Sequence, residues 1–517
     1  MTKITMTARR LALVLVAAGV ATTASAAPLP EIRYADGAGT ATSMPGNRAR
    51  NTSTDNILLH VVESLVALRA DMSVGPMLAD SWAVSRDART YTFKLRPGAT
   101  FHNGAPVTSA EVKWSYNFLM NPKSEWMCRN LYDGAKGPKV IAVDTPTPDT
   151  VVFRLEEPYA LFLDQMASVQ CPLAVLHPSS VDAQGAWVKP VATGPYLFSD
   201  WKKGQSVLLT RFDGYKPRPE PLDGMVGNKQ ALANLRFVVI PDAAAQKAAL
   251  MAGQVDIINA DEDNLPPKDP RWSVVVEQGL DTVNLLMQGA DPLLKDVRMR
   301  RAIALSLDLP AITKALNNGL AQYNPSLVPA ASRYYSAAEK RGYSKNLAEA
   351  KALMDAAGYK GEVIKIQTNK RYPYMYRLAV VTQSLLSKAG IKTELEMLEW
   401  ATQVSNFREG KFQLMAFGYS ARTEPALLYR DVLGNKSKTP MAQWENPEAL
   451  TLLDSIEGNP DEAVRRQTFE KLHDMMIADV PMAMVYNKPG MIVVSRNVTG
   501  FKGWPLRKPR LFNLTKH

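Results

Sequence analysis

Two short segments carry side chains whose types and spacing suit the capture of a polar molecule. The first runs Phe417-Gly418-Tyr419-Ser420-Ala421-Arg422-Thr423-Glu424-Pro425. It follows an apolar, strand-like run and is led by glycine, a natural place for a binding loop on a rigid support. Arg422 presents a planar fork of donors that matches a carboxylate or a phosphate, and Tyr419 offers an aromatic wall. A nearby acid such as Glu424 gives Arg422 an alternative partner inside the chain. The second segment is Lys370-Arg371-Tyr372-Pro373-Tyr374-Met375-Tyr376-Arg377. Its tyrosines, beside Arg371 and Arg377, suit stacking on and hydrogen bonding to a polar solute. The same residues also suit a solvated helix N-terminus with packing aromatics. Trp400 is a further aromatic candidate, equally at home in a cavity wall or a core.

Chemistry beyond binding has little support. No H-E-x-x-H, G-x-S-x-G or G-x-x-x-x-G-K-[ST] is present, nor a G-x-G-x-x-G after a strand. His60, His102, His177, His473 and His517 are scattered. The two cysteines, Cys128 and Cys171, have no clustered histidine beside them and make no zinc site. In an oxidising compartment they form either a disulfide or two buried thiols, and spacing alone leaves both open. No cofactor and no metal is expected.

At 517 residues the chain suits two or three domains, and 46% hydrophobic with 21% charged residues is a globular balance. Lys3, Arg9 and Arg10 precede an apolar run, Leu11 to Ala21, too short to span a bilayer. Ala24-Ser25-Ala26 then supplies a cleavage site before Ala27, the order of a secretory leader. No cysteine follows the site, so the expectation is an exported periplasmic protein and not a lipoprotein. Removing Lys3, Arg9 and Arg10 takes 61 basic residues to 58 against 50 acidic ones, a balance of +8. No dense Lys/Arg run interleaves with aromatics, which excludes nucleic acid as the expected partner.

The elements that must position these groups alternate between strand and helix. Tyr91, Phe93 and Leu95 alternate with Thr92, Lys94 and Arg96, which predicts a half-buried strand closed by Pro97-Gly98. Phe101 to Gly104 reads as a second short strand and turn, and Thr108 with Glu111 as the capping box of a helix. Glu31 to Ala35 reads as a strand and Asn56 to Ala67 as a helix with Leu59, Val62 and Val66 on one side. Val140 to Leu155 reads as a strand pair, Leu235 to Ile240 as a strand, and Asp242 to Met251 as a helix. Asn346 caps a helix stopped by Gly358, and Leu378 to Ala389 is a helix ended by Gly390. With strands at Ile391 to Leu398 and Phe412 to Phe417, the order suggests a parallel α/β lobe. Met484 to Val494 and the stretch from Phe501 onward read as returning strands.

The stretch from Leu78-Ala79 and Ser81-Trp82 through Asp87, Tyr91, Phe93, Leu95-Arg96, Gly98, Phe101-His102, Gly104, Pro106-Val107-Thr108, Val112 and Trp114-Ser115 resembles a family signature. It is that of the family 5 extracytoplasmic solute-binding proteins, the dipeptide-, oligopeptide- and nickel-type receptors of ABC importers. Glu63-Ser64-Leu65-Val66, Thr193-Gly194-Pro195-Tyr196, Gly253-Gln254-Val255-Asp256 and Arg298 to Asp308 extend the likeness over most of the chain.

The resemblance implies an α/β, two-lobed periplasmic binding protein fold of the large type. Residues 27–48, 193–282 and 487–517 would form the first lobe, 49–192 an extra subdomain in it, and 283–486 the second lobe, after a leader at 1–26. It also implies capture of a small polar solute, such as a peptide or opine-like compound and possibly an anion, for delivery by a monomer to an ABC permease. A ligand-presenting sensory receptor and a secreted hydrolase are the alternatives. Two departures stand out. Where peptide-binding relatives place an acid for the peptide ammonium, this chain has Arg422, and the later "D-P" appears as Glu424-Pro425, one position early. Arg377, with Arg371 as alternate, falls where relatives hold a ligand carboxylate, and Trp400 matches the family's tryptophan after a strand.

Overall fold

The computed structural model describes residues 1–2, 29–261 and 264–517, so the expected leader at 1–26 lies almost wholly outside the described residues. Strand β1 (Glu31–Asp36) buries Ile32 and Tyr34. Asn51 then caps α1 (Thr52–Leu58), and the chain continues into a short hairpin, β2 (Val66–Leu68) with β3 (Val74–Pro76). The helix expected over Asn56 to Ala67 is therefore displaced. Every residue from Ser53 to Leu68 is buried, so apolar spacing marks no single face there and the Asn51 cap decides where the helix begins.

Strands β4 (Ala79–Val84) and β5 (Thr90–Leu95), helix α2 (Ser109–Met120), and strands β6 (Val140–Thr147) and β7 (Thr150–Leu155) build a subdomain around an antiparallel sheet ordered β4-β5-β7-β6. Tyr91 and Phe93 point inward as their alternation requires, and Thr108 and Glu111 close a capping box on α2. Phe101 to Gly104 is a turn and not a strand. It is held by one bridge between Thr100 and Pro106, with the Asn103 side chain accepting from the Ala105 N–H. Helix α3 (Phe162–Met166) follows, and Cys171 is disulfide-bonded to Cys128.

The chain then lays down β8 (Tyr196–Lys202), β9 (Ser206–Arg211), β10 (Asn234–Val239), α4 (Ala243–Met251), β11 (Ile257–Ala260) and β12 (Trp272–Glu277). It crosses to a second lobe of β13 (Thr282–Met287), α5 (Val297–Leu305), α6 (Leu309–Leu316), α7 (Leu347–Ala357), β14 (Ile364–Thr368), α8 (Pro373–Lys388), β15 (Thr393–Met397), α9 (Trp400–Glu409) and β16 (Leu414–Tyr419). Helices α10 (Pro425–Val432), α11 (Pro447–Glu457) and α12 (Glu462–Asp479) and strand β17 (Met482–Asn487) complete that lobe, and β18 (Gly490–Ser495) returns to the first. The run from Met484 to Val494 is thus two strands in two sheets. Lys488-Pro489 separates them, and proline lacks the N–H a continuing ladder needs.

The first sheet is ordered β12-β18-β11-β1-β10-β9-β8 and the second β15-β14-β16-β13-β17. In the second, β14 runs parallel to both β15 and β16. Leu285, Leu414 and Ala416 pack to one side of that sheet, and Leu286, Met415 and Phe417 to the other. Both faces are covered by helices, which is why these strands read as continuous apolar runs. Residues 278–281 and 488–489 are the two crossovers, and they touch: a side chain at Gly279 would collide with the Lys488 carbonyl.

Beside the crossovers, Glu277 ends β12 and accepts the Trp504 N–H at 2.8 Å. Burial lifts its carboxyl to about 7. An acid that holds its proton more tightly when folded supports the fold at low pH, and that support is lost as pH climbs through the folded value. Stability of Glu277→Gln should therefore fall less than wild type between about pH 5 and pH 8, by up to roughly 3 kcal/mol, as read by urea titration across that range. The disulfide closes a loop with a sequence separation of 43. Replacing both cysteines by serine should lower unfolding free energy by about 4 kcal/mol by loop-entropy reasoning, and denaturation with and without reductant measures it.

Candidate functional site

Strands β14, β15 and β16 run parallel, so their carboxyl ends share one edge of the second sheet. Helices α8 and α9 leave β14 and β15 from that edge. In such sheets the crevice outside the strand ends, faced by helix N-termini, is where ligands bind. A cavity of about 250 Å³ opens there. Tyr372, Tyr374 and Met375 come to it from the start of α8, Trp400 from the start of α9, and Gly418, Tyr419 and Ser420 from the end of β16. Asp281 and Lys488, one from each crossover, and Arg507 from the C-terminal segment line it from the other lobe's side.

The aromatic wall is interlocked. Trp400 meets Tyr372 edge-on at 4.8 Å and stacks on Phe417 at 6.0 Å, and Tyr419 sits edge-on to Phe417 at 5.4 Å. Gly418 is required for this closeness, since a Cβ there would lie 2.9 Å from the Tyr374 hydroxyl and 3.0 Å from the Thr282 carbonyl. Tyr419 is only 7% exposed, and its hydroxyl has no hydrogen-bond partner among the described residues. Burial pushes that phenol up, so it stays a proton donor at neutral pH.

Among the described residues, charge in the cavity comes from three side chains. Asp281 pairs with Arg507 and also accepts the Ala421 N–H at 3.0 Å, which ties the loop after β16 to the crossover. The Lys488 ammonium lies 4.7 Å from the centre of the Tyr374 ring, within cation–π range.

Of the residues singled out by sequence, Tyr372, Tyr374, Trp400 and Tyr419 line this cavity, and Arg422, Glu424, Arg371 and Arg377 do not. Arg422 pairs with Asp431 at 2.8 Å and donates to the Ser420 and Ala421 carbonyls, folding back on its own loop. Glu424 is fully buried as the N-cap of α10, 2.5 Å from Arg465 and 3.7 Å from Arg333. Arg371 is exposed, its guanidinium 6.0 Å from the Tyr372 ring centre, and Arg377 lies half-buried further along α8. His60 is wholly buried, with Nδ1 against the Asn56 carbonyl and Nε2 accepting the Leu511 N–H, a structural histidine.

Sequence reasoning passed over Asp281, Lys488 and Arg507. The one local signal was Lys488-Pro489, a polar residue and a proline inside an otherwise apolar run. It also passed over Arg333, which bridges the lobes. Arg333 donates to the Met72 carbonyl at 2.6 Å and pairs with Asp164 at 3.3 Å in the subdomain, while Glu462 at 3.1 Å and Glu424 hold it in the second lobe. Its guanidinium also covers the Tyr334 ring at 4.7 Å. Among the described residues, no three His, Cys, Asp or Glu side chains converge to hold a metal ion, and no helix is long and apolar enough to cross a membrane.

Comparison with known proteins adds an independent finding. Residues 73–440 match the family described as bacterial extracellular solute-binding proteins, family 5 Middle. The probable D,D-dipeptide-binding periplasmic protein DdpA of Escherichia coli K12 is 25% identical over 453 residues, 84% of this chain and 83% of its own. The glutathione-binding protein GsiB of Pectobacterium atrosepticum is 25% identical over 509 residues, 95% of this chain and 96% of its own. Among solved structures, HbpA2 from Haemophilus parasuis superposes with a TM-score of 0.79 at 22% identity, covering 94% of this chain and all of that one.

The two charged residues of the loop after β16 should separate cleanly on mutation. Arg422→Ala removes a half-exposed ion pair and should cost less than about 1 kcal/mol of stability, with solute affinity in calorimetry unchanged. Glu424→Ala leaves Arg465 buried without its carboxylate and should cost about 3–5 kcal/mol in urea denaturation. A tenfold affinity loss in a fully stable Arg422→Ala protein would contradict this division.

Proposed function

This chain belongs to the bacterial extracellular solute-binding proteins of family 5, and from that premise we propose that it is the capture component of an ABC importer, taking a small polar solute into the cavity at the crossovers and handing it to a membrane permease. The observation that carries the reading is where the cavity lies. Asp281 and Lys488 belong to the crossovers themselves, and Arg507 reaches in from the first lobe. Any hinge motion at residues 278–281 and 488–489 changes the shape of the site. A solute that contacts both sides favours the closed arrangement by its differential affinity for it.

The cavity also sets the scale of its guest. At about 250 Å³ it falls below the roughly 300–1,000 Å³ of drug-sized pockets. A peptide or peptide-like compound of about two residues suits it better than a long peptide, and Tyr372, Tyr374, Trp400 and Tyr419 provide flat apolar walls with polar tips for it. Binding without turnover is the matching chemistry: Asp281, the one carboxylate among the described lining residues, is engaged by Arg507 and a backbone N–H. In this reading the protein works after export to the periplasm.

Native mass spectrometry of the protein purified from its own periplasm should find one small molecule per chain, and adding that molecule back should contract the protein in small-angle scattering. A protein that co-purifies with nothing and stays unchanged in scattering over a metabolite panel would overturn the reading. Arg333 tests the closed state separately. Arg333→Ala removes a buried charge that holds Met72 and Asp164. It should weaken solute binding about 30-fold, the equivalent of roughly 2 kcal/mol, and enlarge the radius of gyration of the liganded protein.

A further inference from the structure

We propose that Glu277 is a proton-operated lock on the lobe crossovers. With its carboxyl protonated, Arg507 serves Asp281 alone and the seam between the lobes is firm. Once the proton leaves for water, the Glu277 carboxylate competes for Arg507 and the seam loosens. The inference rests on the capture reading and supplies its regulation, since Asp281 and Arg507 line the solute cavity.

Position is the first observation. Glu277 is the last residue of β12 and pairs in register with Gly490, the first of β18. One crossover begins at the next residue and the other ends just before Gly490, so Glu277 stands where both leave the first sheet. Its carboxyl is packed against the C-terminal segment. A Cβ at Gly490 would lie 3.1 Å from Glu277 Oε2 and 2.7 Å from Arg507 Cγ, and one at Gly503 would lie 2.7 Å from Glu277 Cγ.

An oxygen left over is the second. Oε1 accepts the Trp504 N–H, whereas Oε2 is buried with no hydrogen-bond partner among the described residues. An acid in that setting is tolerable when neutral and costly as an anion. The carboxyl raised to about 7 by burial agrees with this.

The charged neighbours are the third. Strand β18 brings no titratable side chain, and Tyr34 of β1 is a phenol that burial pushes up and keeps neutral. The charges that face Glu277 are Arg507 and Arg510, both from the C-terminal segment. Arg510 is held by the carbonyls of Gly224, Lys502 and Gly503. Arg507 is partly exposed, has a left-handed backbone at φ 53°, and grips Asp281. Asp281 in turn accepts the Ala421 N–H of the second lobe. The turn from Trp504 to Arg507 is closed by the Arg507 N–H on the Trp504 carbonyl at 2.8 Å. It therefore carries both the N–H that Glu277 holds and the guanidinium that Asp281 holds. Two carboxyls flank one guanidinium, and the proton on Glu277 decides which of them it serves. The locked arrangement is favoured while that proton is bound and is lost as pH rises through the carboxyl's titration.

The test uses the full mature chain without solute. It carries a donor–acceptor dye pair on cysteines introduced by Ile141→Cys in the subdomain and Val363→Cys in the second lobe, both exposed positions. The native cysteines are bonded to each other and take no dye. Energy transfer should change in a single one-proton step between about pH 6 and pH 8. Glu277→Gln should hold the acid-side value at every pH. Asp281→Asn, which leaves Arg507 without its present carboxylate, should stay near the alkaline-side value. Melting temperatures serve as the folding control. Wild type isotope-labelled at its glutamate carboxyls should show one signal that titrates near neutrality, whatever the variants do. Transfer that ignores pH, a step that survives Glu277→Gln, or the lack of a glutamate titrating near neutrality overturns the lock. None of these results touches the capture reading, which stands or falls with the co-purified guest.

Discussion

A chain that runs from one sheet to another and back must lay its two connecting segments side by side, and here they meet backbone to backbone. Gly279 and the Lys488 carbonyl are in contact only because position 279 has no side chain. The Lys488 N–H donates to the Asp281 carbonyl at 2.8 Å, and Arg507 clamps the Asp281 side chain from the first lobe. These contacts make a narrow seam between the lobes. They also put a carboxylate, an ammonium and a guanidinium at the carboxyl edge of the second sheet, where no single lobe would have gathered them.

The second sheet dictates the rest of the site. Three parallel strands ending together bring two helix starts to one edge, and the residues at those starts are aromatic: Tyr372, Tyr374 and Trp400. Their rings interlock with Phe417 and Tyr419 of β16, so the wall is rigid and is built on regular elements, not on mobile loops. The loop after β16 is then free to serve structure. Glu424 caps α10 and anchors Arg465, and Arg422 returns to Asp431 on the same helix.

What could be read from the chain in advance was local. The alternation of Tyr91, Phe93 and Leu95, the Thr108–Glu111 box and the Asn346 cap each depend on neighbours within a few residues, and each forms as read. Tyr419 and Trp400 line the cavity from a strand end and a helix start, places that are themselves local patterns in the sequence. Failures came where tertiary surroundings decide. The segment from Ser53 to Leu68 is buried on every side, so periodicity gave no direction. Arg422 finds Asp431 only because the loop turns back onto α10. Asp281, Lys488 and Arg507 are distant in sequence and meet only once the chain has crossed twice. Arg333 likewise has no local mark, since its partners Met72, Asp164 and Glu462 come from three separate elements.

The arrangement around Arg333 is lopsided, and that bears on what separating the lobes would cost. The second lobe, which carries the arginine, also carries Glu424 and Glu462 within ion-pair distance of it. Were the halves to part at this contact, the guanidinium would keep Glu424 and Glu462, and only Asp164 and the Met72 carbonyl would be left to water. The loss on parting is thus a fraction of what stranding a buried cation would impose. A latch that never orphans its own cation can be tight when shut and still cycle quickly, the behaviour wanted of a courier that must empty itself as often as it fills.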